Sequence, residues 1–180
     1  MFFVLSGFLI TYLLLSEQEL TNKISLKSFY IRRVLRIWPL YFLIVFIGFV
    51  LYPGIKSLMG MQNLSGANIL YYLSFLSNFD FIHMVKNGLN TDAMMQNITW
   101  SVSIEEQFYL FWPLLFVVAP KRYWLLNILL IIFGSLFFRI AHAQDKIVLY
   151  FHTISVLTDL GIGGLFAYLI KEKTGVRNRI

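Results

Sequence analysis

The chain has 180 residues, of which 58% are hydrophobic and 13% charged, where soluble domains carry about 25% charged residues. A domain of this size has too little interior to absorb that apolar surplus, so an ordinary soluble fold is excluded and a lipid-facing surface is implied. The formal net charge is +6; no nucleic-acid partner is expected, because loop topology accounts for it.

The first apolar run, residues 1–15, is shorter than the roughly 20 residues a span needs, and it lacks the basic start and cleavage site of a secretory signal. The chain is therefore expected to begin inside a helix. Within this run Ser6 and Gly7 form a small pair that lets a neighbouring helix approach closely. A charged segment, 16–36, follows and ends in Arg32, Arg33 and Arg36. If helical, it places Arg33 and Arg36 on one face. Guanidinium forks bind phosphate oxygens in pairs, so these arginines either dock a phosphorylated donor or anchor the helix at lipid phosphates.

The second span is expected at 37–52. Residues 69–82 make an apolar stretch of about 14 residues, which suits an interfacial or re-entrant helix better than a crossing. The positive-inside rule tests this. Without a crossing there, 11 of the 15 Lys and Arg fall on one side, in segments 16–36, 121–122 and 171–180, which are placed in the cytoplasm. Segment 52–98 is then external. Turn residues Asn87-Gly88-Leu89-Asn90 punctuate it.

The third span, 98–119, carries Glu105 and Glu106. Charges at membrane depth are costly and face a bundle interior or an aqueous cavity. At helical spacing Ser101, Glu105, Tyr109 and Trp112 share a stripe. Glu105 is expected to face inward. Ser103 and Glu106 have the spacing of a capping box, which assigns Glu106 to a helix start. Pro113 is expected to kink the helix. The fourth span, 123–138, is uncharged. The fifth, 147–170, carries Asp159, which either pairs with Arg139 or serves a site; Gly161, Gly163 and Gly164 again read as close packing.

No cysteine is present, so disulfides, thiolate metal sites and a cysteine nucleophile are excluded. His83, His142 and His152 lack the spacing of a helical metal site, and no metal is expected. The composition describes an all-α, multi-spanning helix bundle, about five spans and one interfacial or re-entrant helix, forming a single membrane domain over 1–180.

Three motifs stand in order: F-F-x-x-S-G-F-L at 2–9, R-R-x-x-R-x-x-P-x-Y at 32–41 and W-S-x-x-x-E-x-x-F-Y at 100–109. Together they resemble the acyltransferase 3 family. The stretch 158–167, with Asp159 and its glycines, also looks like a helix of that family. The resemblance implies a multi-pass inner-membrane enzyme that moves an acyl group, most often acetyl, from acetyl-CoA or another acyl-CoA to a hydroxyl of a cell-surface carbohydrate, with no bound cofactor.

It further implies that Arg33 and Arg36, with Arg32, hold the coenzyme A phosphates. Glu105 would orient a catalytic His or the acceptor. Ser6, Gly7, Trp100, Ser101, Tyr109 and Asp159 are its other motif residues. The family's Arg-x10-His helix would lie before Met1, so this chain is expected to be an incomplete acyltransferase, inactive alone. A transporter or flippase fragment is one alternative, which does not explain three ordered motifs; an inert truncated product is another, which keeps the fold relation and loses the activity.

Overall fold

The computed structural model describes residues 2–61, 66–89 and 96–177. Among these every regular element is helical. Helix α1 spans Phe2–Thr21 and α2 spans Leu26–Phe46. One π-type turn, Ile47–Leu51, carries α2 without interruption into α3, Tyr52–Leu58. Two short helices follow, α4 at Ile69–Leu73 and α5 at Ser77–Lys86. Helix α6 is Gln96–Val118, α7 is Trp124–Ala141, α8 is Lys146–Phe151 and α9 is Thr153–Arg177.

Four helical stretches among the described residues are long and apolar enough to cross a membrane: Phe2–Thr21, Leu26–Leu58, Lys121–Ala141 and Thr153–Lys173. Helix α6 has the length, at 23 residues, but Glu105, Glu106 and Gln107 interrupt its apolar middle. Its neighbours cover that middle. The multi-spanning helix bundle expected from composition is what forms.

Helix α2 starts eleven residues before the expected apolar boundary, because Ser25 caps it by accepting the Ser28 N–H. All three arginines therefore lie within the helix. The expected capping box does not form: α6 already includes Gln96, so Ser103 and Glu106 sit in mid-helix, bonded sideways to other elements. The helix runs on through Pro113 to Val118.

The expected fifth span is divided. Chain direction changes at His152, in extended conformation (φ −81°, ψ 131°). Its ring nitrogen accepts the Ile154 N–H at 3.2 Å, which starts α9 afresh.

Helices α1, α6 and α9 run parallel. Ser6 and Thr11 meet Tyr109 and Trp112 in ascending order, and Glu19 pairs with Lys171 at 2.8 Å. Helices α2 and α7 run the other way: Tyr30, Arg33, Trp38 and Tyr41 meet Leu110, Tyr109, Glu106 and Ser103 in turn. Small residues set the α1–α9 distance. A Cβ on Gly7 would stand 2.0 Å from the Leu160 carbonyl oxygen, and one on Gly163 would stand 1.9 Å from that of Val4. The glycines thus act as the packing residues their sequence suggested.

Residues 69–86 form a hairpin of two short helices, α4 and α5, packed against α6. Leu76 N–H closes its tip onto the Tyr71 carbonyl at 2.7 Å, and Phe75 takes φ 56° there. The tip reaches Gln107, roughly 16 Å along α6 from its start at 1.5 Å per residue. Tyr41 Oη donates to the Tyr72 carbonyl at 2.8 Å, and Ser77 and Ser103 hydroxyls bond at 2.7 Å. Asn87 and Gly88 end α5, with φ 61° at Gly88. Asn90 lies outside the described residues.

At the hairpin's outer end Lys86 pairs with Asp145, which also caps α8 through the Val148 N–H at 3.0 Å. These two partners, the Lys86 hydrogen bond first, hold the exposed Asp145 carboxyl below the ordinary carboxylate range. A lowered folded-state pKa stabilises the fold above the unfolded value, about 3.9 for Asp, and that contribution is lost as pH falls through the lowered value. Asp145→Asn keeps a capping side chain but removes this charge, so it is expected to lower thermal stability in detergent at neutral pH and to flatten the fall on the acid side, the two proteins converging as pH drops through the lowered value. Identical acid limbs in the two proteins would contradict this.

Candidate functional site

The polar residues of α6 are divided between two neighbours, because consecutive helical positions point about 100° apart. Glu105 turns toward α1. It is 7% exposed, and its Oε2 accepts the Tyr109 hydroxyl at 3.0 Å. That same hydroxyl bonds the Ser6 Oγ of α1. Glu106 turns toward α2, where its Oε2 accepts the Trp38 indole N–H at 3.1 Å.

Arg33 enters from α2. Its guanidinium carbon lies 5.4 Å from the centre of the Tyr109 ring and 5.6 Å from that of Phe29, within cation–π reach. Ser6, Glu105, Tyr109 and Arg33 thus come together from three helices. The Glu105 carboxylate faces the bundle, and no span separates it from the arginine-bearing helix.

Beside this cluster lies a cleft of about 160 Å³. Arg33, Trp38, Glu106 and Tyr109 line it, together with Ser74 and Phe75 from the hairpin tip. One oxygen of each carboxylate, Oε1 of Glu105 and Oε1 of Glu106, is buried without a hydrogen-bond partner among the described residues. Buried polar atoms are normally paired, so each is an acceptor held ready for a donor. A phenol, a hydroxyl and a guanidinium beside such an oxygen can orient a hydroxyl or an imidazole N–H.

The remaining motif residues stand elsewhere. Arg32 is exposed and meets Glu17 at 3.4 Å. Arg36 is exposed and lies outside the cleft lining. Gly7 packs on Leu160. Trp100 packs against Phe3, Tyr150 and Phe151, and the Ser101 hydroxyl bonds the Ile98 carbonyl at 3.2 Å. The stripe expected from helical spacing therefore narrows to Glu105 and Tyr109; Trp112 donates instead to Thr11 Oγ1 at 2.8 Å. Asp159 lies 4.0 Å from an Arg139 nitrogen.

Sequence reasoning passed over Trp38 and Gln107 and read Glu106 as a cap. The signal was present: three consecutive polar side chains, Glu105-Glu106-Gln107, in mid-span must each find a different partner.

The acyltransferase domain family model matches residues 1–179. The chain belongs to the acyltransferase 3 family. It is similar to the peptidoglycan O-acetyltransferase OatA of Listeria monocytogenes, with 39% identity over 130 residues, 70% of this chain and 20% of that protein. A putative O-acetyltransferase of Staphylococcus aureus is 33% identical over 93% of this chain and 29% of its own length. An uncharacterized protein of Haemophilus influenzae is 33% identical over 76% of this chain and 56% of its own. The chain thus spans between a fifth and just over half of these relatives. No solved structure matches. In this chain the three motifs converge on one place: Ser6 of the first, Arg33 of the second and Glu105 and Tyr109 of the third.

Proposed function

We propose that this chain forms the donor-binding and carboxylate-bearing part of a membrane enzyme that transfers an acyl group, acetyl in the first instance, from acyl-CoA to a hydroxyl of a cell-surface carbohydrate. The observation that carries the reading is the Ser6–Tyr109–Glu105 chain beside Arg33, built from three helices around a carboxylate oxygen with no partner. The names of the relatives, O-acetyltransferases of bacteria, support the same reaction.

In this reaction the acceptor oxygen attacks the thioester carbonyl carbon, a C–O bond forms and the C–S bond breaks. The hydroxyl proton passes to a general base and then to the departing thiolate. Arg33 holds a phosphate of the donor at the cleft, and Arg32 and Arg36, exposed along the same helix, attract the rest of its charge. Glu105 orients the base or the acceptor hydroxyl through its free oxygen.

None of His83, His142 and His152 is among the described residues lining the cleft, so the base is assigned to a group other than these three. The isolated 180-residue chain is expected to transfer nothing.

The ends of the bundle agree with an inner-membrane placement that keeps 16–36 in the cytoplasm. Gln18, Asn22 and Lys23 border one pocket with Lys121 and Trp124, and Lys171 pairs with Glu19, so the basic segments gather at one face.

Membranes carrying the full-length protein, given labelled acetyl-CoA on the cytoplasmic face, test the reading. Labelled ester on the external glycan is the expected product. Arg33→Ala should raise KM for the donor about tenfold or more, since hydrogen bonds between charged groups contribute about 1.5–3 kcal/mol. An unchanged donor KM would remove Arg33 from the donor site, and transport of label without ester formation would favour a transporter.

A further inference from the structure

Gln107 is spent on neither carboxylate cluster, yet every polar atom of its side chain is engaged. Its Nε2 donates to the Asn78 Oδ1 at 3.0 Å and to the Phe75 carbonyl at 2.7 Å. Asn78 Nδ2 donates to Thr153 Oγ1 at 3.0 Å and to the Phe151 carbonyl at 3.1 Å. Thr153 Oγ1 donates back to Gln107 Oε1 at 2.6 Å. The three side chains close a ring in which each donates to the next. The ring joins α6, the hairpin and the start of α9.

Asn78 is fully buried, so breaking the ring strands amide groups away from water, at a cost well above the net value of one hydrogen bond. The ring also holds the carbonyl of Phe75, the tip residue with positive φ. That residue and Ser74 form the wall of the cleft facing Arg33 and Tyr109. The Phe75 ring continues the wall by packing on Trp38, 5.3 Å between centres.

We infer that Gln107 is a positioning residue: by closing the ring with Asn78 and Thr153 it fixes the hairpin tip against the Arg33 cleft, and so sets the shape of the hydroxyl-bearing acceptor that the cleft admits. The acceptor half of this inference rests on the acyl-transfer reading; the ring's hold on the tip does not. The aromatic faces of Trp38 and Phe75 beside the Glu106 carboxylate offer stacking and hydroxyl recognition together, the chemistry a sugar ring needs.

The absence of cysteine makes a single Ser77→Cys, buried in the hairpin beside Asn78, a unique reporter in the full-length protein with any other cysteines replaced. A membrane-impermeant maleimide is applied and its labelling rate measured. Gln107→Leu and Thr153→Val are each expected to raise that rate about tenfold or more, while Thr153→Ser, which keeps the hydroxyl, leaves it unchanged. Ala167→Cys, fully buried on α9 and about 21 Å along that helix from Thr153 at 1.5 Å per residue, serves as the control for global unfolding; if Gln107→Leu accelerates labelling there as well, the isosteric Thr153→Val decides.

Equal Ser77→Cys rates in Thr153→Val and its parent overturn the inference. In the transfer assay, Thr153→Val should raise acceptor KM about tenfold with kcat nearly unchanged. Faster labelling with no change in acceptor KM would overturn the acceptor role while leaving the transfer reading intact. No transfer by the unmodified protein would defeat that reading, with the labelling result still deciding the ring.

Discussion

Replacing Glu105 with Gln is expected to lower acetyl transfer by the full-length protein on the order of 100-fold or more, the scale of losing a positioned acid–base partner, with membrane abundance unchanged. Gln matches Glu in volume, and its amide oxygen can still accept the Tyr109 hydroxyl that Glu105 Oε2 now takes. The fold therefore keeps its local bonds. What disappears is the negative charge and the acceptor at Oε1, the atom without a hydrogen-bond partner among the described residues. Glu105→Asp is a second probe. It keeps the charge but withdraws it by one methylene, so it should retain more activity than Gln. The comparison is made on kcat, with protein quantified in the same membranes. Full activity in Glu105→Gln would show that the carboxylate serves structure alone.

The second large effect concerns the frame. Gly163→Ala is expected to destabilise the bundle by about 3 kcal/mol, at the upper end for an overpacked core. The added methyl would stand 1.9 Å from the Val4 carbonyl oxygen and 2.7 Å from the Phe8 nitrogen. Both are backbone atoms of α1, so no side-chain rotation can relieve the overlap. The two helices must separate, and the separation draws Ser6 away from Tyr109, because both contacts lie at the same end of α1. Activity should therefore fall together with stability.

Gly134→Ala on α7 is the matched control. A Cβ there meets nothing within 4 Å, and the exchange should be neutral or stabilising by up to about 1 kcal/mol, the helix propensity difference. Thermal melting in detergent, followed by tryptophan fluorescence, separates the two. Equal melting temperatures for both variants would mean that the close α1–α9 approach contributes nothing.

Spans, their order and the basic end could be read from the sequence, because lipid imposes a simple rule. Backbone polar groups must be satisfied within each helix, and charged side chains must sit at the ends or face inward. That rule is local, so it identifies Glu105 as an inward-facing suspect and the glycines as packing residues with no knowledge of neighbours. The motif order adds the family.

Partnerships depended on the tertiary structure. Spacing alone put Ser101 and Trp112 in one stripe with Glu105, but each is claimed by a different group, the Ile98 carbonyl and Thr11. Glu106 read as a cap because a capping box is a spacing of three, which recurs in any helix; only the Trp38 indole, 68 residues away in the chain, shows what the carboxylate does. Likewise Arg33 and Arg36 share a face on paper, yet Arg33 alone lies against Tyr109. The 14-residue apolar run folds as two short helices turned on each other, and the ring through Gln107, Asn78 and Thr153 ties that hairpin to α6 and α9. Those three residues are polar in any reading. That they bond to one another is a property of three elements meeting, since a hydrogen bond is set by direction and distance in space, whereas the requirement to hide polar groups from lipid is already present in each segment by itself.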